Sequence, residues 1–410
     1  MTTPHEIHSC EVCGNERLEP VLDLGPHPMC DDLVPVGDGR RCRDYRIEIL
    51  FCDKCVTAHQ RFQVPKAELF PKTYHYRSRF TADVLNGMSA LVDSVEKRLG
   101  SLQGKTVLDI GCNDGSLLDF FRKKGAKTIG VEPTDAWLDA RDKGHALFNA
   151  FFAPDTAREI LAGHGNPDVI TFTNVFAHIE NLPEVIEALR ILMKPSTMLV
   201  VENHYLGAVL ERQQFDTFYH EHPRTYSLTS FLAIAKSLGA QLSGVEFPAR
   251  YGGNIRVFVG GPGVANALAE TGPVLEKEKT FKDEFRTLAR NVDRWKQAMT
   301  RRISDLVARH GPLAAKAFPG RAAILVKLLG LDSDRVAAVY EKPGSMKIGH
   351  YLPGTRIPIR SDDDLFALAP QPPVILNLAW HISDEIQSYL RKNGYKGEVV
   401  DILDPRLLSS

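Results

Sequence analysis

From about residue 80 the chain switches between two hydrophobic periods. Short runs in which nearly every position is apolar alternate with longer stretches in which apolar residues recur every three or four positions. The first pattern is that of a strand buried on both faces, the second that of a helix with one face in a core. Thr106 to Ile110, Thr128 to Glu132, Val169 to Phe172 and Met198 to Glu202 are of the first kind. Phe80 to Leu99, Ser116 to Lys124, the stretch from Ala136 and Leu182 to Met193 are of the second. The alternation predicts βαβ units and a mainly parallel sheet covered on both faces, up to about residue 245. Glu270 to Ala308 is charged, with apolar residues at helical spacing, and reads as a connecting helix pair. Beyond it the alternation resumes. Ala322 to Leu329, Arg335 to Tyr340, Val374 to Asn377 and Glu398 to Ile402 are expected to be strands or short helices of a second α/β unit.

The segment before that alternation follows neither pattern. Asp23-Leu24-Gly25-Pro26 and Pro35-Val36-Gly37-Asp38-Gly39 read as turns, and Arg46 to Phe51 as a half-buried strand. So short a segment has little core of its own and needs a staple. The expected division is a small head over 1–70, a doubly wound middle domain over 71–265, and linker helices with a second α/β unit over 266–410.

Composition narrows the function classes. Charged residues make up 25 % of the 410, and 50 Lys+Arg against 51 Asp+Glu leave a net charge of -1. That balance disfavours a protein whose main work is gripping a nucleic acid polymer or an anionic membrane. No apolar run reaches the ~18 residues of a membrane span. Met1 to Glu6 carries no basic head or apolar stretch, so a cytoplasmic protein is expected.

All of the seven cysteines except Cys112 fall in the head. Cys10-Glu11-Val12-Cys13 and Cys52-Asp53-Lys54-Cys55 are two Cys-x-x-Cys pairs, one near each end of that segment. Each pair can sit on a tight knuckle, which Gly14 allows in the first. Two knuckles supply the four thiolates that structural zinc prefers. Four protein ligands leave no open position, so such a site holds a fold and does no chemistry. Cys30 and Cys42 read as ordinary residues.

The loop Asp109-Ile110-Gly111-Cys112-Asn113-Asp114-Gly115 joins the first strand of the middle domain to a helix. Its glycines are spaced G-x-x-x-G, without the close-approach glycine that seats a pyrophosphate. Asp109 would repel phosphate, and Glu132, at the end of the next strand, can accept ribose hydroxyls. A cofactor with a ribose, a positive centre and no phosphate suits these residues, which is S-adenosylmethionine (SAM).

Asp-x-Gly-x-x-x-Gly resembles the first motif of class I SAM-dependent methyltransferases. More narrowly, the chain resembles the sugar C-methyltransferases that act on C3 of nucleotide-linked 4-keto deoxysugars. The resemblance runs through the Cys-x-x-Cys pairs with Leu22-Asp23-Leu24-Gly25, Tyr74-His75-Tyr76, Asn174-Val175-Phe176-Ala177-His178-Ile179 and Tyr219-His220-Glu221-His222. It ends with Gly349-His350-Tyr351-Leu352-Pro353-Gly354-Thr355-Arg356-Ile357-Pro358-Ile359 and Leu378-Ala379-Trp380. It implies a zinc-binding head, a SAM-binding Rossmann-like middle domain and a C-terminal Rossmann-like domain. The expected cofactor contacts are Asp109, Gly111, Asp114, Gly115, Glu132, Pro133 and Asn174.

Methylating a carbon next to a ketone requires a base for the carbon-bound proton and a donor for the enolate oxygen. By the resemblance these roles fall on Tyr219, Glu221 and His222. His222 is expected to be the base, Glu221 to orient and charge-stabilise it, and Tyr219 to serve the oxyanion; His220 alternates with His222 and is expected to point elsewhere. Tyr76, Asn174, His178, His204, Tyr251, Lys347 and Arg356 are expected to contact a nucleotide-sugar substrate, the last two through its phosphates. The chain departs from the family where Tyr251 precedes Gly252-Gly253 and Asn254 follows, and where Glu202-Asn203-His204-Tyr205 replaces Glu-x-Pro-Tyr. Both blocks bear on sugar identity. An O- or N-methyltransferase, a catalytically dead scaffold and a nicotinamide oxidoreductase are the competing readings, and the sequence leaves the oligomeric state open.

Overall fold

The computed structural model describes residues 4–70, 77–80, 82–261 and 271–404. In the head, β1 (Glu19–Pro28), β2 (Asp44–Cys52) and β3 (Thr57–Gln60) pair antiparallel in sequence. Asp23 to Pro26, expected as a turn, instead lies inside β1. The pairing with β2 skips a residue between Asp23 and Gly25, so the turn-forming residues make a β-bulge that bends the strand.

The middle domain contributes β4 (Thr106–Ile110), β5 (Lys127–Val131), β6 (Ala146–Phe148), β7 (Val169–Thr173), β8 (Met198–His204), β9 (Arg224–Thr225), β10 (Leu242–Glu246) and β11 (Asn254–Gly260). Seven of these form one sheet in the order β10-β11-β8-β7-β4-β5-β6. It is parallel except for β11, which runs antiparallel to both of its neighbours. The order reverses beside β4, so the carboxyl ends of β4, β7 and β8 frame the crevice where such sheets bind ligands.

The C-terminal domain is a parallel sheet of β12 (Leu313–Lys316), β13 (Val336–Glu341), β14 (Ile359–Ser361), β15 (Val374–Asn377) and β16 (Glu398–Asp401), ordered β14-β13-β12-β15-β16. Its switch point lies between β12 and β15. Of the segments left between strand and helix in the sequence, Ala322–Leu328 is the helix.

The three domains interlock. The ninth strand joins the head's sheet, with Arg224 opposite His59 and Thr225 opposite Ala58. Val34–Pro35 of the head pairs with His350–Tyr351 of the C-terminal domain. A 30-residue helix, Phe281–His310, buries Phe281, Phe285, Leu288, Val292, Trp295, Met299, Ile303 and Leu306 at three- and four-residue spacing. Phe285 meets Phe51 of the head (ring centroids 5.6 Å), Trp295 meets Phe215 (5.1 Å), and the Trp295 indole donates to the Ile402 carbonyl at 2.9 Å. Among the described residues no helix is long and apolar enough to cross a membrane.

Candidate active site and metal centre

The two knuckles bring the sulfurs of Cys10, Cys13, Cys52 and Cys55 within 4.8 Å of one another. Cys10 and Cys55 are 3.3 Å apart, Cys13 and Cys52 3.7 Å. Zinc–thiolate bonds of about 2.3 Å set the edges of a sulfur tetrahedron at about 3.8 Å, so the donor set and spacing fit the ion. The Asn15 amide donates to the Cys52 sulfur at 3.4 Å, as an outer partner of a metal ligand does. Glu11, inside the first knuckle, accepts from the fully buried Arg224 of β9 at 2.5 Å. Burial alone would raise the Glu11 pKa. The Arg224 charge with the His59 and Gln63 contacts outweighs it and holds the group at about 2. The metal knuckle is thereby tied to the strand that follows the loop 214–222.

At the carboxyl end of β4, Asp109 is buried and accepts from the Thr171 hydroxyl at 2.7 Å. Burial, reinforced by nearby Glu132, pushes its pKa up to about 7. Glu132 accepts from the Asn113 amide at 3.0 Å and from the amide and hydroxyl of Thr134 at 2.9 and 2.6 Å, so its carboxylate faces the loop. Gly111 and Gly115 have φ of 69° and 74°; a Cβ at Gly111 would lie 2.6 Å from Val175, and one at Gly115 2.9 Å from Ala140. Asp114 is fully buried and caps the loop, binding the Ser116 amide and hydroxyl with one oxygen and the Arg79 amide with the other. It shapes the cradle. Two buried carboxylates at adjacent strand ends, with glycines between them, fit a cofactor bearing a ribose and positive charge and disfavour one bearing phosphate. Pro133 follows Glu132, half-buried.

Asn174, with φ of 54°, sits just past β7 and accepts from the Asn254 amide at 3.3 Å. Asn254 also donates at 3.0 Å to Glu202, a fully buried carboxylate that receives Arg250 and Arg256 as well. The departure at Asn254 thus joins the two family-divergent blocks physically.

Four rings converge beside this crevice. His222 lies 4.3 Å from Tyr219, 4.8 Å from His178 and 5.4 Å from His204, centroid to centroid. These residues come from one loop, from the turn after β7 and from the end of β8. His222 Nδ1 is 3.0 Å from the Thr217 carbonyl oxygen, and His178 Nδ1 is 2.6 Å from that of Glu221. A carbonyl only accepts, so both Nδ1 atoms carry the proton and Nε2 is the basic nitrogen of each. Burial, with His178 and His204 alongside, drives the His222 pKa well below 6.5. His204 falls to about 3 through burial and the Arg321 charge. Burial and the Glu221 charge raise the Tyr219 pKa, keeping its hydroxyl protonated as a donor.

Two sequence assignments change. Thr217, not the Glu221 carboxylate, holds His222 Nδ1, because the tight turn 217–222 folds the ring back on its own backbone. Arg356 cannot serve a phosphate where it stands: its guanidinium donates to the carbonyls of Asp38, Gly39 and Arg40, tying head to C-terminal domain. Lys347 gives one of its three N–H donors to the Phe318 carbonyl at 2.8 Å. His220 does turn away, with Nε2 3.0 Å from the Tyr45 carbonyl oxygen of the head. Tyr76 lies outside the described residues, and Tyr251 belongs to a short turn, Arg250–Gly252.

Sequence reasoning missed a cluster on the far side of the loop 214–222. Asp216 is fully buried and accepts Arg321 at 2.5 and 2.8 Å and the Trp380 indole at 2.8 Å. Trp380 stands in a block already notable in the sequence; nothing around Arg321 marked it.

Family models match three successive segments: a zinc binding domain over residues 10–70, a methyltransferase domain over 75–243 and a C-methyltransferase C-terminal domain over 249–400. The chain is a SAM-dependent methyltransferase. It is 28 % identical to C-methyltransferase NovU of Streptomyces niveus, across 98 % of its own length and 97 % of that protein's. A ubiquinone biosynthesis O-methyltransferase of Actinobacillus pleuropneumoniae is 29 % identical over 115 residues, covering 26 % of this chain and 49 % of that protein. Among solved structures, magnesium protoporphyrin IX methyltransferase from Synechocystis PCC 6803 with bound SAH overlaps 43 % of this chain and 83 % of its own, at 16 % identity and a TM-score of 0.34.

Proposed function

We propose that this enzyme removes a proton from the carbon next to a ketone of a nucleotide-linked keto sugar and methylates that carbon, at C3 of a 4-keto deoxysugar. The observation that carries the carbon chemistry is His222. Its Nδ1–H is fixed on a backbone carbonyl, its pKa is pushed down by burial, and its Nε2 is left as a base beside the Tyr219 ring. A base kept neutral at working pH is ready to accept a proton. Tyr219 stays protonated and donates to the oxygen on which charge develops. The rings of His178 and His204 border the same space and can hold substrate hydroxyls. Asp109, Glu132 and the left-handed glycines would hold SAM, which supplies a methyl group on a positively charged sulfur. The sugar, its nucleotide and the C3 position rest on the family resemblance, with Asn174, His178, His204, Tyr76 and Tyr251 as the substrate contacts.

The test is product analysis. The enzyme is incubated with SAM carrying a carbon-13 methyl and a panel of nucleoside-diphosphate 4-keto sugars. A methyl resonance coupled to a ring carbon supports the proposal; an O-methyl or N-methyl resonance refutes it in favour of heteroatom transfer.

A further inference from the structure

We infer that Arg321 of the C-terminal domain is a positioning residue for His222, acting through Asp216 and the Thr217 carbonyl. This rests on the reading of His222 as the base.

Arg321 leaves the loop after β12, at the switch point of the C-terminal sheet, and crosses to the middle domain. Its guanidinium makes a two-pronged pair with Asp216, at 2.5 and 2.8 Å, and donates to the Gln214 side-chain oxygen at 3.2 Å. Trp380, from the loop after β15, donates to the same Asp216 oxygen that takes the Arg321 Nε. The Asp216 carboxylate has no solvent exposure and the Arg321 side chain is 10 % exposed. A buried carboxylate with three charge-assisted or indole donors has one favourable position, and a planar guanidinium fixes its orientation as well as its distance.

The next residue in the chain is Thr217. Its carbonyl is the group that holds His222 Nδ1, and its hydroxyl donates to the Gln214 carbonyl at 2.7 Å. Gln214 in turn donates to the Gly252 carbonyl at 2.9 Å. Two loops of the C-terminal sheet therefore clamp the residue before the one that sets the imidazole. Nothing else among the described residues gives that domain so direct a hold on the catalytic loop. Around His222 itself the titratable and charged groups are His178, His204 and Arg321 from other elements, and Tyr219 and Glu221 on its own loop.

Two effects of Arg321 can be separated. Its geometry fixes the carbonyl; its charge lowers the pKa of the base. Arg321→Gln should reduce kcat about 10²-fold, the size expected when a catalytic group loses its alignment by about an ångström. It should also move the acid limb of the kcat profile to higher pH, because a cation that disfavours protonated His222 is gone. SAM affinity should not change. Arg321→Lys keeps the charge and loses the two-pronged grip, so it should restore the pH limb and leave most of the kcat loss. Trp380→Phe removes one hydrogen bond to Asp216 and keeps a ring, and should lower kcat about tenfold.

His222→Asn is measured beside them. If it abolishes turnover while a folded Arg321→Gln enzyme keeps a wild-type kcat and pH limb, the inference fails and the base assignment stands. If His222→Asn turns over normally, the base assignment fails and takes the inference with it. Should Arg321→Gln not fold, wild-type kcat in both Arg321→Lys and Trp380→Phe overturns the inference.

Discussion

Compare the loop at 109–115 with the loop at 214–222. In the first, the hydrogen bonds that set its shape run to residues of the same domain: Thr171, Glu132, Ser116, Ser78 and Arg79. In the second, bonds within the domain are joined by bonds that run outward. Tyr219 is held through its carbonyl by Gln60 of the head, His220 by the Tyr45 carbonyl, and Asp216 by Arg321 and Trp380 of the C-terminal domain. The cofactor cradle is a local structure that one βαβ unit can carry. The loop at 214–222 is held by groups from the head, the middle domain and the C-terminal domain together. Cofactor binding and turnover should therefore respond to different perturbations.

The largest separation comes from the metal. A structural zinc contributes about 10–16 kcal/mol to the folding of the segment that holds it. Cys52→Ser, or removal of the ion with a chelator, should unfold the head and release the grip of Gln60 and Tyr45 on the catalytic loop. Metal analysis should give about one zinc per native chain. The stripped protein should lose turnover and stability together, seen by assay and thermal denaturation. A metal-free variant that stays folded and active would show the catalytic loop independent of the head.

Next come single residues on either side of the comparison. His222→Asn should lower turnover by roughly 10²–10⁴-fold, the worth of a general base, and leave SAM affinity by calorimetry as it was. Glu132→Ala should do the reverse, weakening SAM binding while His222 keeps its place. If each variant damaged both properties equally, the two loops would be one unit. Tyr219→Phe removes one donor, and should cost about tenfold in kcat.

How much of this was legible in sequence follows the same line. The strands from Thr106 to Glu202, the glycine loop and both Cys-x-x-Cys pairs could be found because periodicity and spacing are local signals, whereas His178, Tyr219 and His222 were singled out by the family resemblance. The roles of Thr217, Asp216 and Arg321 could not, because they depend on contacts between separate domains, far apart along the chain. The same limit explains Arg356. In sequence it is a cation in a Pro/Gly-rich loop, and only the fold reveals that the carbonyls of residues 38–40 take its donors. The bulge at Asp23–Gly25 misled for another reason: turn formers and bulge formers are the same residues.

The smallest effect is on pH. His27 and His220 are buried, His381 is half-buried, and desolvation holds all three near pKa 4. The unfolded chain binds protons at about 6.5 and the folded one does not, so stability is fully present above pH 6.5 and declines as pH falls towards 4. Denaturant midpoints measured from pH 7 to pH 4.5 should fall steadily. His220→Asn should flatten part of the slope, because that buried ring, which ties the catalytic loop to Tyr45, no longer titrates. A slope unchanged in that variant would assign the pH response to the other histidines.

Deuterium exchange into the acceptor sugar in the absence of SAM tests the base assignment most directly. In heavy water the wild-type enzyme should exchange the hydrogen on the carbon next to the ketone, and His222→Asn, still folded and still binding SAM, should not. Exchange that persists in His222→Asn, or no exchange in the wild type together with methyl found on oxygen, would contradict the account.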